Sequence, residues 1–114
     1  MKSKAKILKF GHPVRGSRTG RPIMVALDLL GRRMSLRVLW ELHGQSMTFR
    51  VLQDAVQTNP SLLNTRLKEL RAAGIVEHTG NGYSLTRIGQ KLLRAIQPLS
   101  KWAQQWGIAV ALKK

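Results

Sequence analysis

The sequence predicts a mainly α-helical fold with one small β-hairpin. Two observations carry that expectation. Apolar residues recur at helical spacing through successive segments, each bounded by a capping residue, a proline or a glycine. One Gly-Asn-Gly signal, flanked by short β-prone runs, marks a tight turn between strands. The 114 residues, 43% of them hydrophobic, suffice for one domain with a core of its own.

Residues 1–21 stand apart. They hold seven positive charges, no acid, and Gly11, Pro13, Gly16 and Gly20. Such a stretch offers too little apolar surface to order itself, so it is expected to be a flexible basic arm. The folded domain is expected over residues 22–114.

Pro22 suits a first helical turn, and Ile23, Ala26, Leu27 and Leu30 then share a face until Gly31 stops the helix. A second helix is expected from Met34 to His43, with Leu36, Leu39, Trp40 and His43 at helical spacing and Gly44 as its stop. His43 is expected to be a partly buried helix residue. Thr48 can cap a short third helix in which Phe49, Leu52 and Val56 point inward. Asn59 can cap a fourth, with Pro60 at its first position and Gly74 at its end. At ~100° per residue, Leu63, Leu67 and Leu70 gather on one side of that helix. Ser61, Thr65, Lys68 and Ala72 fall opposite, with Asn64 and Glu69 on the flanks. This outer face is small and polar, as suits a helix in a DNA major groove.

Ile75, Val76 and His78 read as a strand, Gly80-Asn81-Gly82 as the turn, and Tyr83, Ser84 and Leu85 as the returning strand. Thr86 can cap the last helical stretch. There Leu92, Ile96, Leu99, Ala103, Trp106 and Val110 are spaced 4, 3, 4, 3, 4, a heptad-like seam that Pro98 is expected to kink or break. The seam needs a partner surface, either the first helix or the same helix of a second subunit. Trp102 and Trp106 are the kind of large aromatic that anchors an interface. Behind the first helix, three helices, a hairpin and a closing helical stretch make the order of a winged helix-turn-helix with five to six helices.

Twenty Lys and Arg face five Asp and Glu, a formal net charge of +15. An excess of this size implies a polyanionic partner, most commonly nucleic acid. The chain has no cysteine, which excludes disulfides, zinc-thiolate sites and thiol sensing. No apolar run is long enough for a membrane span or a secretory signal, so no membrane partner and a cytoplasmic, nucleoid-associated location are expected. No enzyme is expected. His12, His43 and His78 are scattered without metal spacing, the five acids are isolated from one another, and no phosphate-binding loop or dinucleotide fingerprint occurs. Asp28 and Glu41 are expected to pair with neighbouring arginines. No metal and no cofactor are anticipated.

The series Ala26–Gly31, Leu39–Leu42, Thr48–Leu52, Leu67–Glu77 and Tyr83–Leu93 resembles HxlR-type transcription regulators, a branch of the MarR-like winged helix proteins. The resemblance runs from Pro22 to Trp106, about three quarters of the chain. It implies a homodimer joined by the first and last helices, on an inverted-repeat operator in double-stranded DNA. Carried onto this sequence, it makes Ser61, Asn64, Thr65 and Lys68 base-reading candidates, and Arg50, Arg66, Arg71 and Arg87 phosphate candidates, to which this sequence's own Arg32, Arg33 and Asn81 are added. Leu27, Leu92, Ile96, Leu99, Trp102 and Trp106 become interface candidates.

Three departures matter. Arg21 stands where many members have a cysteine ahead of the first helix. The wing, His78 to Tyr83, lacks the usual longer loop with its proline, which argues against its insertion into a minor groove. Arg32-Arg33-Met34 replaces a usual Gly-Lys-Trp and adds charge expected near the DNA backbone. An apolar pocket between the dimer helices, lined by Met24, Met34, Trp40 and Trp102, would suit a small-molecule effector. The competing reading is a structural nucleic-acid binder, nucleoid- or ribosome-associated, without sequence preference, which the net charge favours.

Overall fold

The computed structural model describes residues 20–113. The basic arm therefore lies, up to residue 19, outside the described residues. The elements run α1 (Pro22–Leu30), α2 (Ser35–Glu41), α3 (Phe49–Val56), α4 (Pro60–Ala72), β1 (Val76–Thr79), β2 (Gly82–Leu85), α5 (Arg87–Ile96) and α6 (Pro98–Lys113). The fold is a winged helix-turn-helix: six helices around one two-stranded antiparallel hairpin among the described residues.

The side chains α1 buries are Val25 and Leu29. The face grouped by spacing lies elsewhere. Ile23 and Leu27 of that face are exposed, while Ala26 and Leu30 are partly covered. This helix therefore carries two apolar faces: Val25 and Leu29 are buried, and of the other face Leu30 packs against the edge of the core while Ile23 and Leu27 reach solvent.

The second helix is shorter than spacing suggests. Met34 sits at φ 74°, in the left-handed region, so it cannot belong to a right-handed helix, and α2 begins at Ser35. Arg32, Arg33 and Met34 thus form the α1–α2 connection rather than a helical turn. The core-facing residues here are Val38, Leu39 and Leu42, whereas Leu36 and Trp40 reach solvent. His43 lies beyond the end of α2 and is exposed, against the expectation of a partly buried helix residue. Its Nε2 lies 3.1 Å from Gln97 Nε2.

The caps read from sequence are made. Thr48 Oγ1 accepts from the Val51 amide at 3.3 Å, Asn59 Oδ1 from Leu62 at 2.7 Å and Thr86 Oγ1 from Gly89 at 3.0 Å. Thr86 also donates its hydroxyl proton to the Gly74 carbonyl at 2.6 Å, fixing α5 to the end of α4.

The hairpin pairs Val76 with Leu85, Glu77 with Ser84, His78 with Tyr83 and Thr79 with Gly82. Met47 adds a one-residue bridge to Tyr83, with amide–carbonyl bonds of 2.9 and 2.7 Å in the two directions. Gly82 allows this approach. It adopts φ 111°, and a Cβ there would lie 2.5 Å from the Met47 carbonyl oxygen. Gly89 plays the same part in α5, whose first turn rests directly on the Ile75 carbonyl.

The long C-terminal helix is divided, as Pro98 predicts: α5 ends at Ile96 and α6 opens at Pro98. The division changes the meaning of the seam. Leu93, one residue off it, is the deeply buried leucine of α5, while Leu92 and Ile96 pack partly against the same core. Beyond Pro98, residues 98–112 are all exposed. The core itself joins Leu29, Val38, Leu39, Leu42, Leu52, Val56, Leu63, Leu67 and Leu70 with Ile75, Val76, Tyr83, Leu85 and Leu93 of the hairpin side.

Candidate nucleic-acid interface

The helix-turn-helix pair is α3 and α4. Gln57, at φ 54°, turns the chain out of α3, and Asn59 starts α4 two residues later. Leu63, Leu67 and Leu70 hold α4 on the core with at most 1% exposure. That leaves Ser61, Asn64, Thr65 and Lys68 exposed on its outer surface. Three are short polar side chains able to donate and accept hydrogen bonds, and one is a cation. No acidic residue occupies the first turn of α4, so its amide end stays positive.

Around this surface the expected phosphate contacts divide into two groups. Arg33 at the α1–α2 connection, Arg50 in the first turn of α3, Arg87 at the start of α5 and Asn81 at the hairpin tip are exposed, and Arg71 is half-buried in the last turn of α4. The hairpin that presents Asn81 is stiffened by His78, whose ring stacks on Tyr83 at 4.0 Å and 3° between planes. The Asn81 amide donates to Thr79 Oγ1 at 3.2 Å.

Arg32 and Arg66 are placed differently. Arg32 Nη2 meets Asp28 Oδ2 at 2.8 Å, and its Nη1 meets Glu69 Oε2 at 3.1 Å. Arg66 Nη1 meets Glu69 Oε1 at 3.2 Å, while its Nε donates to the Arg33 carbonyl at 2.7 Å. The Arg66 side chain is only 15% exposed. Both arginines therefore work inside the protein, not as free phosphate contacts, because the outward flank of α4 is where the α1–α2 connection packs. Burial alone would lower the pKa of Arg32. The hydrogen bond to Asp28 and the charges of Glu69 and Asp28 outweigh it and raise the pKa, so the guanidinium is held charged.

Helical spacing set Glu69 on a flank of α4 and showed nothing of this role. Its signal was available, however. In a chain with five acids, an acid on the flank of a candidate DNA-reading helix opposes binding unless it is paired internally. Arg37 was likewise missed: it pairs with Glu41 at 3.0 Å, as expected for that acid, and also donates to the Ala55 carbonyl at 2.8 Å, joining α2 to α3.

A second surface lies away from α4. Leu27 of α1 is 55% exposed, and Trp102 and Trp106 of α6 are 54% and 57% exposed. The two indoles stack on each other with centroids 5.4 Å apart. Leu27, Leu30 and Leu36 line one wall of an apolar groove, and Ile96, Leu99 and Trp102 line the other. Trp40 borders an adjoining groove with Leu99 and Ala103. Of the four residues expected to line an apolar pocket, Trp40 and Trp102 do line these grooves. Met24 and Met34 line neither, and Met34 packs against the core instead.

Among the described residues no three His, Asp or Glu side chains cluster as metal ligands, and no helix is long and apolar enough to cross a membrane.

Comparison with known proteins gives one consistent picture. The family model of the HxlR-like helix-turn-helix matches residues 29–110. The uncharacterized HTH-type transcriptional regulator YvaP of Bacillus subtilis is 30% identical over 89 residues, covering 71% of this chain and 82% of that protein. An uncharacterized HTH-type transcriptional regulator of Methanocaldococcus jannaschii is 25% identical over 83 residues, covering 68% and 78%. Among solved structures, quinone-bound YodB from B. subtilis superposes with a TM-score of 0.67 at 30% identity, covering 73% of this chain and 96% of YodB. A MarR-family structure from Enterococcus faecalis V583 shares the fold, with a TM-score of 0.68 at 23% identity over 86% of this chain and 96% of that one.

Proposed function

The chain belongs to the HxlR-like helix-turn-helix family of DNA-binding transcription regulators, and from that premise we propose that it acts as a homodimer reading an inverted-repeat operator. One observation supports this reading above the others. Helix α4 buries Leu63, Leu67 and Leu70 and turns Ser61, Asn64, Thr65 and Lys68 outward. Short polar groups beside a cation are what base edges in a major groove require. Arg33, Arg50, Arg87 and Asn81, which are exposed, and the half-buried Arg71 would meet phosphates and supply most of the affinity by displacing counterions. Arg32 and Arg66 leave the list of phosphate contacts because their partners are internal.

The second surface supports dimerisation. The outer face of α1, with Leu27, and α6, with Leu99, Trp102 and Trp106, expose more apolar side chain than a lone domain of this size has reason to carry. Leu92 and Ile96 contribute from the edge of the core. Pairing these faces would set two α4 helices on one side of the dimer, about one turn of DNA or ~34 Å apart. The same grooves offer a place for an apolar effector between subunits.

The test is substitution on the outer face of α4. Thr65→Ala and Lys68→Ala are expected to lose about tenfold or more in operator affinity, the scale of one misread base pair, with dimer and melting temperature unchanged. Wild-type affinity in both variants would remove α4 from the reading surface. The net charge of +15 favours a second reading, binding to any duplex without preference. That reading predicts equal affinity for all sequences and a steep loss with salt.

A further inference from the structure

Glu69 sits beside Lys68 on the helix assigned above to DNA reading, in a chain that has five acidic residues in all. A carboxylate there opposes DNA binding by simple charge. Its side chain is 19% exposed, and both oxygens are engaged, Oε2 by Arg32 and Oε1 by Arg66. Through Arg32 it reaches Asp28 on α1. Through Arg66 it reaches the Arg33 carbonyl, the group just before Met34. Met34 holds a left-handed conformation that a bulky residue adopts only when its surroundings impose it. One acid on α4 thus organises two arginines that pin the α1–α2 connection to α4.

We propose that Glu69 is a positioning residue that fixes the angle of α4 against α1 and thereby sets the sequence specificity of the protein. The proposal rests on the reading of α4 as the recognition helix and of α1 as part of the dimer interface. If α1 joins the subunits and α4 enters the groove, the α1–α4 linkage determines how two recognition helices meet two half-sites. Loosening it degrades the base contacts, which tolerate little displacement, more than the phosphate contacts of Arg50, Arg87 and Asn81, which lie on other elements.

The proposal separates cleanly from a charge effect. Glu69→Gln removes one negative charge, so charge alone predicts tighter binding to every duplex. Positioning predicts opposite signs. Affinity for an operator selected from random duplexes should fall about tenfold, comparable to one mismatched base pair, while affinity for an unrelated duplex stays level or rises. Arg66→Lys keeps the charge but lacks the planar fork that serves Glu69 and Arg33 together. It should reproduce the loss on the operator, and it decides the matter should Glu69→Gln fail to fold.

A second readout is independent of DNA. Because the chain has no cysteine, spin labels at Ile23→Cys and Ser61→Cys report the α1–α4 distance in free protein, diluted with unlabelled chain. Glu69→Gln should broaden or shift that distance well below its melting temperature. An unchanged distance, or parallel gains on operator and unrelated duplex, would overturn the proposal. If wild-type protein prefers no duplex, the operator reading fails, and the label distance still decides whether Glu69 positions α4.

Discussion

Lys68 and Glu69 are adjacent on α4 and have opposite surroundings. Lys68 projects from the outer face, whereas Glu69 is held by two arginines against the α1–α2 connection. A substitution at either therefore has a distinct signature: Lys68→Ala should lower operator affinity without touching stability, and Glu69→Gln should lower the preference for operator over other DNA. Beneath them Leu67, at 1% exposure, belongs to the core. Leu67→Ala should cost about 2–5 kcal/mol, read as a lower midpoint in denaturant, because removing buried methyl groups leaves a cavity that α4 cannot close. Gly89 gives a test of close packing. Any Cβ there runs into the Ile75 carbonyl, so Gly89→Ala should destabilise by roughly 1–3 kcal/mol in the same assay, against the usual gain in helix propensity from alanine. A neutral Gly89→Ala would mean that α5 can lift off Ile75 without loss.

At the scale of elements, the caps and stops were the most legible features. Thr48, Asn59, Thr86 and Pro98 each mark the boundary they suggest, since each acts through atoms of its own neighbourhood. The start of α2 was not legible. Nothing local to Arg32-Arg33-Met34 signals a left-handed residue, and the connection's partner, Arg66, lies thirty-three residues away from the carbonyl it binds. The inward face of α1 was misjudged for a related reason. Two apolar faces compete on this helix, and periodicity cannot tell which meets its own core. The C-terminal seam combined two different environments, with Leu92 and Ile96 against the core and Leu99, Trp102 and Trp106 in solvent. Element by element, truncation after Pro98 removes no buried side chain among the described residues, so the remaining domain should keep its fold by circular dichroism. In sedimentation it should run as a monomer. A dimer of the truncated chain would take α6 out of the proposed interface.

At the scale of the molecule, the candidate site was more legible in composition than in its wiring. The outward polar set on α4 follows from helical spacing once Leu63, Leu67 and Leu70 are placed inside. Charge sign and position implicated the surrounding arginines, but sequence could not divide those that face solvent from those with partners, since the partners come from other elements. The whole then reads as two surfaces on one small domain, a cationic one around α4 and an apolar one along α1 and α6. Glu69 and Arg32 connect them.

The most direct test of this account is selection of bound sequences from a random duplex library, at moderate salt with excess competitor DNA. The account predicts recovery of an inverted repeat whose half-sites lie about one helical turn apart. Recovery of no motif, with binding that collapses as salt rises, would contradict it and leave charge alone as the source of affinity.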